Sequence, residues 1–202
     1  MKIAGLEPCS FCDYKGKLAA VVFTQGCNLR CPFCHNAELI RNPGHGDGAF
    51  SQEQVLQFLV SRKGRLDAVV VSGGEPTLQS GLSDFLREIR ALGYSTKLDT
   101  NGTQPEVVES LLSQGLLDFI AMDIKAPWHR YDELTGVRTP LANVKRSTHA
   151  VAESGVEHEF RTTFVPGLLN ENDLAAIRNL IPPGSPWITQ QYHRHRSCAG
   201  AR

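Results

Sequence analysis

Apolar runs of strand length alternate with amphipathic helical segments along most of this chain. The first run, 18–24, is continuously apolar, which is typical of a strand buried on both faces of a parallel sheet. Ser51 and Gln54 then form a capping box, and the apolar residues behind them recur on one helical face. A second buried strand begins at Ala68. The same strand and helix unit recurs downstream.

The complete pattern predicts strands at 18–24, 68–71, 95–99, 119–124, 156–165 and 187–192, and helices at 37–41, from Ser51, and at 82–92, 105–113, 128–134, 143–154 and 173–180. This alternation, with no second block of composition, predicts one α/β domain over residues 1–192 with a mostly parallel sheet. Six strands are too few for a closed eight-fold barrel. We therefore expect an open, partial (β/α)6 TIM-like barrel.

Two segments carry no periodic pattern. Residues 42–48 contain three glycines and a proline, which predicts a mobile loop. The basic stretch 193–202 predicts a disordered tail. The glycine-containing loop at 136–140 and the 42–48 loop are candidate elements for docking a partner protein.

Charge and composition exclude several classes of protein. The 21 basic and 21 acidic residues cancel, which argues against an electrostatic nucleic-acid binder. No apolar run approaches the ~20 residues of a membrane helix, and the amino-terminal residues lack the apolar region of a secretory signal. We expect a cytoplasmic, reducing setting, in which the six cysteines are ligands or free thiols.

Three cysteines follow the first strand at the spacing Cys-x3-Cys-x2-Cys: Cys27, Cys31 and Cys34. Thiolates are soft ligands that suit iron–sulfur clusters, zinc or copper(I). A four-iron cluster held by three cysteines would leave one iron open to a small molecule. The rival interpretation is a four-cysteine zinc site that adds Cys9 and Cys12, although it leaves Cys27 without a role.

Polar residues gather where the predicted strands end. Pairs two positions apart share one face of a strand, which in a partial barrel is the interior. Charged groups there need charged partners, and a zwitterionic ligand with an amine, a carboxylate and a ribose would supply them. The candidates are Gly73, Gly74, Glu75, Asp99, Asn101, Asp123, Lys125 and Arg161, with Thr163 beside them.

Each candidate has an expected role. The glycine pair would let a ligand lie against backbone, and Glu75 would accept from an ammonium group. Lys125 would pair with a carboxylate. Arg161 and Thr163 fit either the site or the packing of the barrel, and 99–102 fits either the site or a capped turn.

Two motifs together resemble the radical S-adenosylmethionine (SAM) superfamily: the three cysteines, with Phe33 before the last, and the Ser-Gly-Gly-Glu-Pro run at 72–76. Residues 23–36, 98–102, 122–125 and 160–163 resemble the glycyl radical enzyme activases more narrowly. Within that family they look most like the activating proteins of anaerobic ribonucleoside-triphosphate reductase.

The resemblance implies that the three cysteines hold one [4Fe–4S] cluster, since 35–72 is too short for a further ferredoxin-type insertion. It implies that Gly73, Gly74 and Glu75 hold the methionine amine of SAM, and that Lys125 meets its carboxylate with Asp123 nearby. Asp99 and Thr100 match positions that, in pyruvate formate-lyase activase, help bind a monovalent cation beside the cofactor.

The implied reaction is reductive cleavage of SAM to a 5′-deoxyadenosyl radical, which takes a hydrogen from a glycine of a partner enzyme. The implied partner is anaerobic ribonucleotide reductase, with flavodoxin or ferredoxin as electron donor. Alternatives are another glycyl radical enzyme of the pyruvate formate-lyase type, a small-molecule substrate, and the zinc module. Cys9 and Cys12 are expected to be ordinary thiols, Cys198 incidental, and His35 a shield for the cluster.

Overall fold

A computed structural model of the protein describes residues 1–37, 39 and 49–192. The predicted loop at 42–48 and the predicted tail at 193–202 lie outside the described residues, as does most of the predicted helix at 37–41. Across the part of the chain that is described, no helix combines the length and apolar character needed to cross a bilayer.

One seven-stranded sheet organises the structure, and its strands lie side by side in chain order. All neighbouring pairs from β2 to β7 are parallel, whereas β1 runs antiparallel to β2. The strands are β1 Ile3–Ser10, β2 Ala19–Thr24, β3 Ala68–Gly73, β4 Ser95–Thr100, β5 Phe119–Asp123, β6 Glu157–Phe164 and β7 Trp187–Gln191. Strands β2 to β7 correspond to the six predicted strands, which confirms a parallel-dominated α/β fold.

The described helices connect successive parallel strands. They are α1 Gln52–Ser61, α2 Leu82–Ala91, α3 Pro105–Ser113, α4 Tyr131–Thr135, α5 Leu141–Glu153 and α6 Glu171–Arg178, with 3-10 turns at Pro76–Leu78 and Trp128–Arg130. The predicted capping box is present, since the Ser51 hydroxyl accepts from the Gln54 amide at 3.1 Å and the Gln54 side chain accepts from the Ser51 amide at 2.8 Å.

Strand β1 differs from the prediction, which left 3–10 unassigned. Only its two ends, Ile3 and Ser10, are buried, so its side chains do not alternate between buried and exposed positions. No period-two pattern in the sequence therefore marks it as a strand. It pairs with β2, the next strand in the chain, and register irregularities interrupt this pairing. This edge strand is specified by its backbone hydrogen bonds to β2, which cannot be predicted from a side-chain pattern.

The two faces of the sheet carry different cores. A large apolar cluster packs the helices against one face and includes Phe85, Leu98 and Met122. The opposite, concave-side cluster is small and consists of Tyr14, Ala19, Val21, Ala68 and Val70. Apolar packing on this second face therefore stops part of the way along the strands. The carboxyl ends of the same strands are left to polar residues.

Candidate functional site

A cavity of about 280 Å³ opens at the carboxyl ends of the parallel strands. Every site residue predicted from the sequence lines it, which places the cysteine loop and four strand ends around one space. The lining consists of Asp13, Cys27, Leu29, Cys31, Phe33, Cys34, His35, Asn36, Ser72, Gly73, Gly74, Glu75, Asp99, Thr100, Asn101, Asp123, Lys125, Arg161, Thr163 and Gln190.

The loop that carries the three cysteines is fixed at both its backbone and its side chains. Leu29 and Phe33 are buried in it, at 2% and 4% exposure. The Arg30 amide donates to the Thr135 carbonyl at 2.8 Å. Gly136, left-handed at φ +69°, packs so closely that a Cβ there would lie 2.5 Å from the Arg30 carbonyl oxygen. The start of the candidate docking segment 136–140 is therefore part of the support for the cysteine loop.

The thiols of this loop are partly buried, and this burial shifts the pKa values of two of them. It raises the pKa of Cys27 to about 11 and also raises the pKa of Cys31. Both are therefore neutral thiols in the protein at neutral pH, and metal binding would release their protons. By contrast, Cys9 and Cys12 are exposed and do not line the cavity.

The zinc interpretation has no assembled site in the described part of the chain. No three His, Cys, Asp or Glu side chains among those residues converge on a single metal ion. A four-iron cluster differs because each cysteine binds a separate iron, so the thiols surround the cluster instead of meeting at one point.

Two loops of the site are joined backbone to backbone. The Gly74 amide donates to the Thr24 carbonyl at 2.9 Å, and the Glu75 amide donates to the Gly26 carbonyl at 2.8 Å. A Cβ on Gly73, at φ +118°, would lie 2.2 Å from the Thr24 nitrogen, and one on Gly74 would lie 1.9 Å from the Gly26 oxygen. The glycines thus make room for the neighbouring loop, a role that the sequence did not indicate.

Glu75 connects two more turns of the site. Its carboxylate is 1% exposed and accepts from the Thr77 amide at 3.1 Å, the Thr77 hydroxyl at 2.6 Å, the Thr100 hydroxyl at 2.7 Å and the Asn101 amide at 2.7 Å. Burial raises the pKa of this carboxyl despite those donors. Three donors share one carboxylate oxygen and a single donor reaches the other, which leaves acceptor capacity for a ligand.

Asn101 extends this network to the cysteine loop. Its side-chain nitrogen donates to the Asn28 side-chain oxygen at 3.0 Å and lies 3.8 Å from the Cys27 sulfur. Asn28 donates in turn to the Thr103 hydroxyl at 2.8 Å. Asn101 therefore lies at the site and also holds the loop that presents Cys27.

Five alternating charges cross the inner face of β4, β5 and β6. Lys97 lies 3.3 Å from Asp99, Asp99 lies 3.4 Å from Arg161, Arg161 lies 3.1 Å from Asp123, and Asp123 lies 2.8 Å from Lys125. The sequence indicated that these charges face one another, as they do. It indicated a zwitterionic ligand as the source of their charged partners, but the protein also supplies partners of its own. They pair with one another, and Lys97 completes the series.

These ion pairs determine the direction in which the pKa values of Asp123 and Lys125 shift. Burial raises the pKa of the Asp123 carboxyl, but Lys125 and Arg161 outweigh burial and lower it to about 2. Burial lowers the pKa of Lys125, and the Asp123 carboxylate reverses this and raises it above its usual value. Both groups are charged throughout the physiological pH range.

Sequence reasoning missed several residues of the site. Asp13 and Gln190 come from the β1–β2 connection and from β7, and Asn36 donates to the Gly73 carbonyl at 3.2 Å. Of the residues that were missed, Lys97 could have been predicted from the sequence, because it lies two positions before Asp99 and therefore on the same face of the strand. His35 lines the cavity as expected, and its ring stacks on Tyr192 with 5.2 Å between ring centroids.

Comparison with known proteins identifies the family. The family model described as "Radical SAM superfamily" matches residues 21–181. A putative glycyl-radical enzyme activating enzyme of Methanocaldococcus jannaschii is 33% identical over 195 residues, covering 94% of this chain and 79% of the relative. Pyruvate formate-lyase 1-activating enzyme of Escherichia coli is 29% identical over 184 residues, covering 86% of this chain and 72% of the relative.

Solved structures agree on the fold. SuiB of Streptococcus suis superposes with a TM-score of 0.67 at 17% identity, covering 88% of this chain and 40% of SuiB. This chain thus spans less than half the length of that structural neighbour. The radical SAM fold, with its [4Fe–4S] cluster and SAM, accounts for both the sheet and the cysteine-lined cavity. The chain belongs to the radical SAM superfamily and, within it, to the glycyl-radical enzyme activating enzymes.

Proposed function

We propose that this protein binds a [4Fe–4S] cluster through Cys27, Cys31 and Cys34, binds SAM in the adjoining cavity, and activates anaerobic ribonucleoside-triphosphate reductase. One observation carries the proposal: the three thiols and both members of a partly buried ion pair, Asp123 and Lys125, line the same cavity. When bound and reduced, such a cluster would supply the electron for cleavage of SAM, and a glycine of the partner would supply the hydrogen atom that the cleaved nucleoside takes up.

The residues present fit both groups. Three thiols without a fourth cysteine beside them in the cavity suit a cluster with one open iron. One oxygen of the Glu75 carboxylate accepts a single hydrogen bond, from the Asn101 amide, so the site has polar capacity beyond its internal contacts. The cavity also presents an ammonium at Lys125 and a carboxylate at Glu75, which suit the two charged ends of an amino acid.

The role that we propose for each residue follows from its position in the cavity. Lys125 binds the carboxylate of SAM, while the backbone of 73–75 and the free acceptor capacity of Glu75 bind its amine. Asp123 and Arg161 hold Lys125 in place through their ion pairs, 2.8 Å and 3.1 Å in length. Leu29 and Phe33 exclude water from the side of the cavity next to the cysteines, because both are buried there.

The choice of partner rests on the likeness of residues 23–36, 98–102 and 122–125 to activating proteins of anaerobic ribonucleotide reductase. A flavodoxin or ferredoxin is the proposed electron donor, and a reducing cytoplasm the proposed setting. A second candidate is a partner of the pyruvate formate-lyase type. The 29% identical Escherichia coli activating enzyme favours that alternative.

Anaerobic reconstitution with iron and sulfide tests the cofactors. We expect about four irons and four sulfides per chain, and 5′-deoxyadenosine once dithionite and SAM are added. A protein that instead retains one zinc ion and forms no nucleoside product would contradict the proposal.

Isotope transfer tests the partner. Anaerobic ribonucleotide reductase carrying α-deuterated glycine should pass deuterium into 5′-deoxyadenosine and develop a glycyl radical signal in electron paramagnetic resonance. A pyruvate formate-lyase-type enzyme, labelled in the same way, serves as the comparison. Transfer from the lyase alone would replace the proposed partner by the second candidate.

A further inference from the structure

We propose that Lys97 is a permanent counter-ion for Asp99, which replaces a bound monovalent cation, so that SAM binding needs no alkali metal ion. The proposal goes beyond the proposed function but rests on it for the ligand. The resemblance matched Asp99 and Thr100 to a cation position. In the structure, the positive charge next to Asp99 belongs to the side chain of Lys97.

Lys97 lies on the inner face of β4, behind the cavity wall, and is 4% exposed. Its ammonium nitrogen donates to the Asp13 carbonyl at 2.5 Å and lies 3.3 Å from Asp99 Oδ1. The Phe119 ring faces it, with 5.4 Å between the nitrogen and the ring centroid. A buried ammonium is unfavourable unless it is paired, so these three contacts define its place.

A further cation has no unpaired carboxylate oxygen to bind at Asp99 or Asp123. Asp99 Oδ1 lies next to Lys97, and Asp99 Oδ2 lies 3.4 Å from Arg161. Asp123 Oδ1 and Oδ2 lie 3.1 Å from Arg161 and 2.8 Å from Lys125. Three fixed cations therefore face two carboxylates, and a fourth positive charge would be repelled.

The contact at Asp99 Oδ1 is the critical one. This oxygen is buried and has no hydrogen-bond donor, because the Lys97 ammonium is close enough for an ion pair but not aligned for a hydrogen bond. Lys97 is the cation that pairs with this oxygen, whereas Arg161 pairs with Oδ2. Without Lys97, the Asp13 carbonyl and Asp99 Oδ1 would be two adjacent oxygen ligands with no cation, and oxygen sets of this kind bind alkali and alkaline-earth ions.

Lys97→Met tests this directly, because it removes the charge and keeps a long apolar side chain. The measurement is binding of radiolabelled SAM to reconstituted protein by anaerobic equilibrium dialysis, in potassium, sodium or choline chloride at equal ionic strength. Equal ionic strength holds screening constant, and choline is too large for a two-oxygen site. Thermal unfolding in the same three salts gives a second readout that does not require SAM.

The unaltered protein should bind SAM with the same affinity in all three salts. Lys97→Met should bind about tenfold more weakly in choline chloride, and potassium or sodium should restore most of the loss. Lys97→Arg should remain independent of the salt, and so should Lys63→Met, a control at an exposed lysine.

Two results would overturn the inference: a requirement for alkali ions in the unaltered protein, or equal SAM affinity of Lys97→Met in choline and potassium chloride. If Lys97→Met does not fold in choline chloride, recovery of the folded state in potassium chloride supports the inference, and no recovery in any salt contradicts it. Failure of the unaltered protein to bind SAM in any salt would contradict the proposed function instead. The unfolding temperatures would then still decide the role of Lys97.

Discussion

The Asn101 side chain donates to the Asn28 side-chain oxygen at 3.0 Å and so joins the turn after β4 to the cysteine loop. The two residues are 73 positions apart in the chain. Asn101 also receives the Thr103 amide and hydroxyl at 2.9 Å and 2.7 Å, which fixes its orientation. The position of Cys27 therefore depends on a turn that belongs to the third parallel strand.

Asn28→Ala should weaken retention of the cluster more than it weakens the fold. The change removes one hydrogen bond to Thr103 and one from Asn101, at a cost of about 1–3 kcal/mol in the free energy of unfolding. We expect reconstituted protein to lose iron faster to a chelator, measured as iron per chain over time. Asn172→Ala, an exposed position on α6, is the control. Equal rates of iron loss for the two variants would contradict the prediction.

Gly74→Ala should disrupt folding itself. The added methyl group would lie 1.9 Å from the Gly26 carbonyl oxygen, so the β2 and β3 loops must separate. We expect a loss of about 3 kcal/mol or more in the free energy of unfolding, measured in urea. Gly81→Ala is matched, since its Cβ would be at an ordinary 3.5 Å from Met1. Full stability of Gly74→Ala with loss of SAM binding alone would show that the glycine serves the ligand.

Single cysteine variants should fall into two groups. Cys27→Ala, Cys31→Ala and Cys34→Ala should each abolish the stable four-iron cluster, because each removes one of three ligands. Cys9→Ala and Cys12→Ala should retain it, since both side chains are exposed and lie outside the cavity lining. Iron and sulfide analysis with the visible absorption spectrum provides the measurement. Loss of metal from Cys9→Ala with retention in Cys27→Ala would favour the zinc interpretation.

Asp123 should contribute to the acid sensitivity of the fold. Its pKa is lowered from 3.8 to about 2, so the folded state gains stability above about pH 4 and loses it as the pH falls through 2. The difference corresponds to about 2 kcal/mol at neutral pH. Urea unfolding of the unaltered protein should therefore show a steeper loss of stability in this range than Asp123→Asn shows.

The comparison of Asp123→Asn with the unaltered protein also gives a prediction at pH 7, and it has a control variant. Asp123→Asn leaves Lys125 and Arg161 without this partner, which should cost about 3 kcal/mol or more at pH 7. Asp84→Asn removes a carboxylate whose side chain is 74% exposed and should change little. Coincident curves of stability against pH for Asp123→Asn and the unaltered protein would mean that the carboxylate has no net effect.

The sequence predicted the parts of the structure that local pattern and short spacing encode. Strand β2 is continuously apolar because both of its faces are covered, and helix α3 begins at Pro105 and ends at Ser113 as its periodicity indicated. The site residues could be predicted because parallel strands bring their carboxyl ends to one edge. Each polar residue at such an end, from Glu75 to Arg161, therefore lines the same cavity.

What the sequence could not predict depends on contacts that the side-chain pattern does not encode. Strand β1 is specified by backbone pairing with β2, and Asp13 reaches the cavity from the turn between them. Lys97 looks like a solvent-exposed strand residue until its neighbours on β1–β2 and β5 enclose it. The packing role of the glycine pair was also not predicted, because only the folded structure shows the Thr24–Gly26 backbone against it.

The backbone joint between the β2 and β3 loops limits how this site can be transplanted or evolved. A cysteine loop copied alone into another scaffold would lack the amide donors that position it, since its Thr24 and Gly26 carbonyls accept hydrogen bonds from the amides of Gly74 and Glu75. The smallest transferable unit of the site therefore includes β2, β3 and β4 with the loops that follow them, since Asn101 after β4 also holds Asn28 of the cysteine loop. Recombination points within 24–101 would separate parts of that unit.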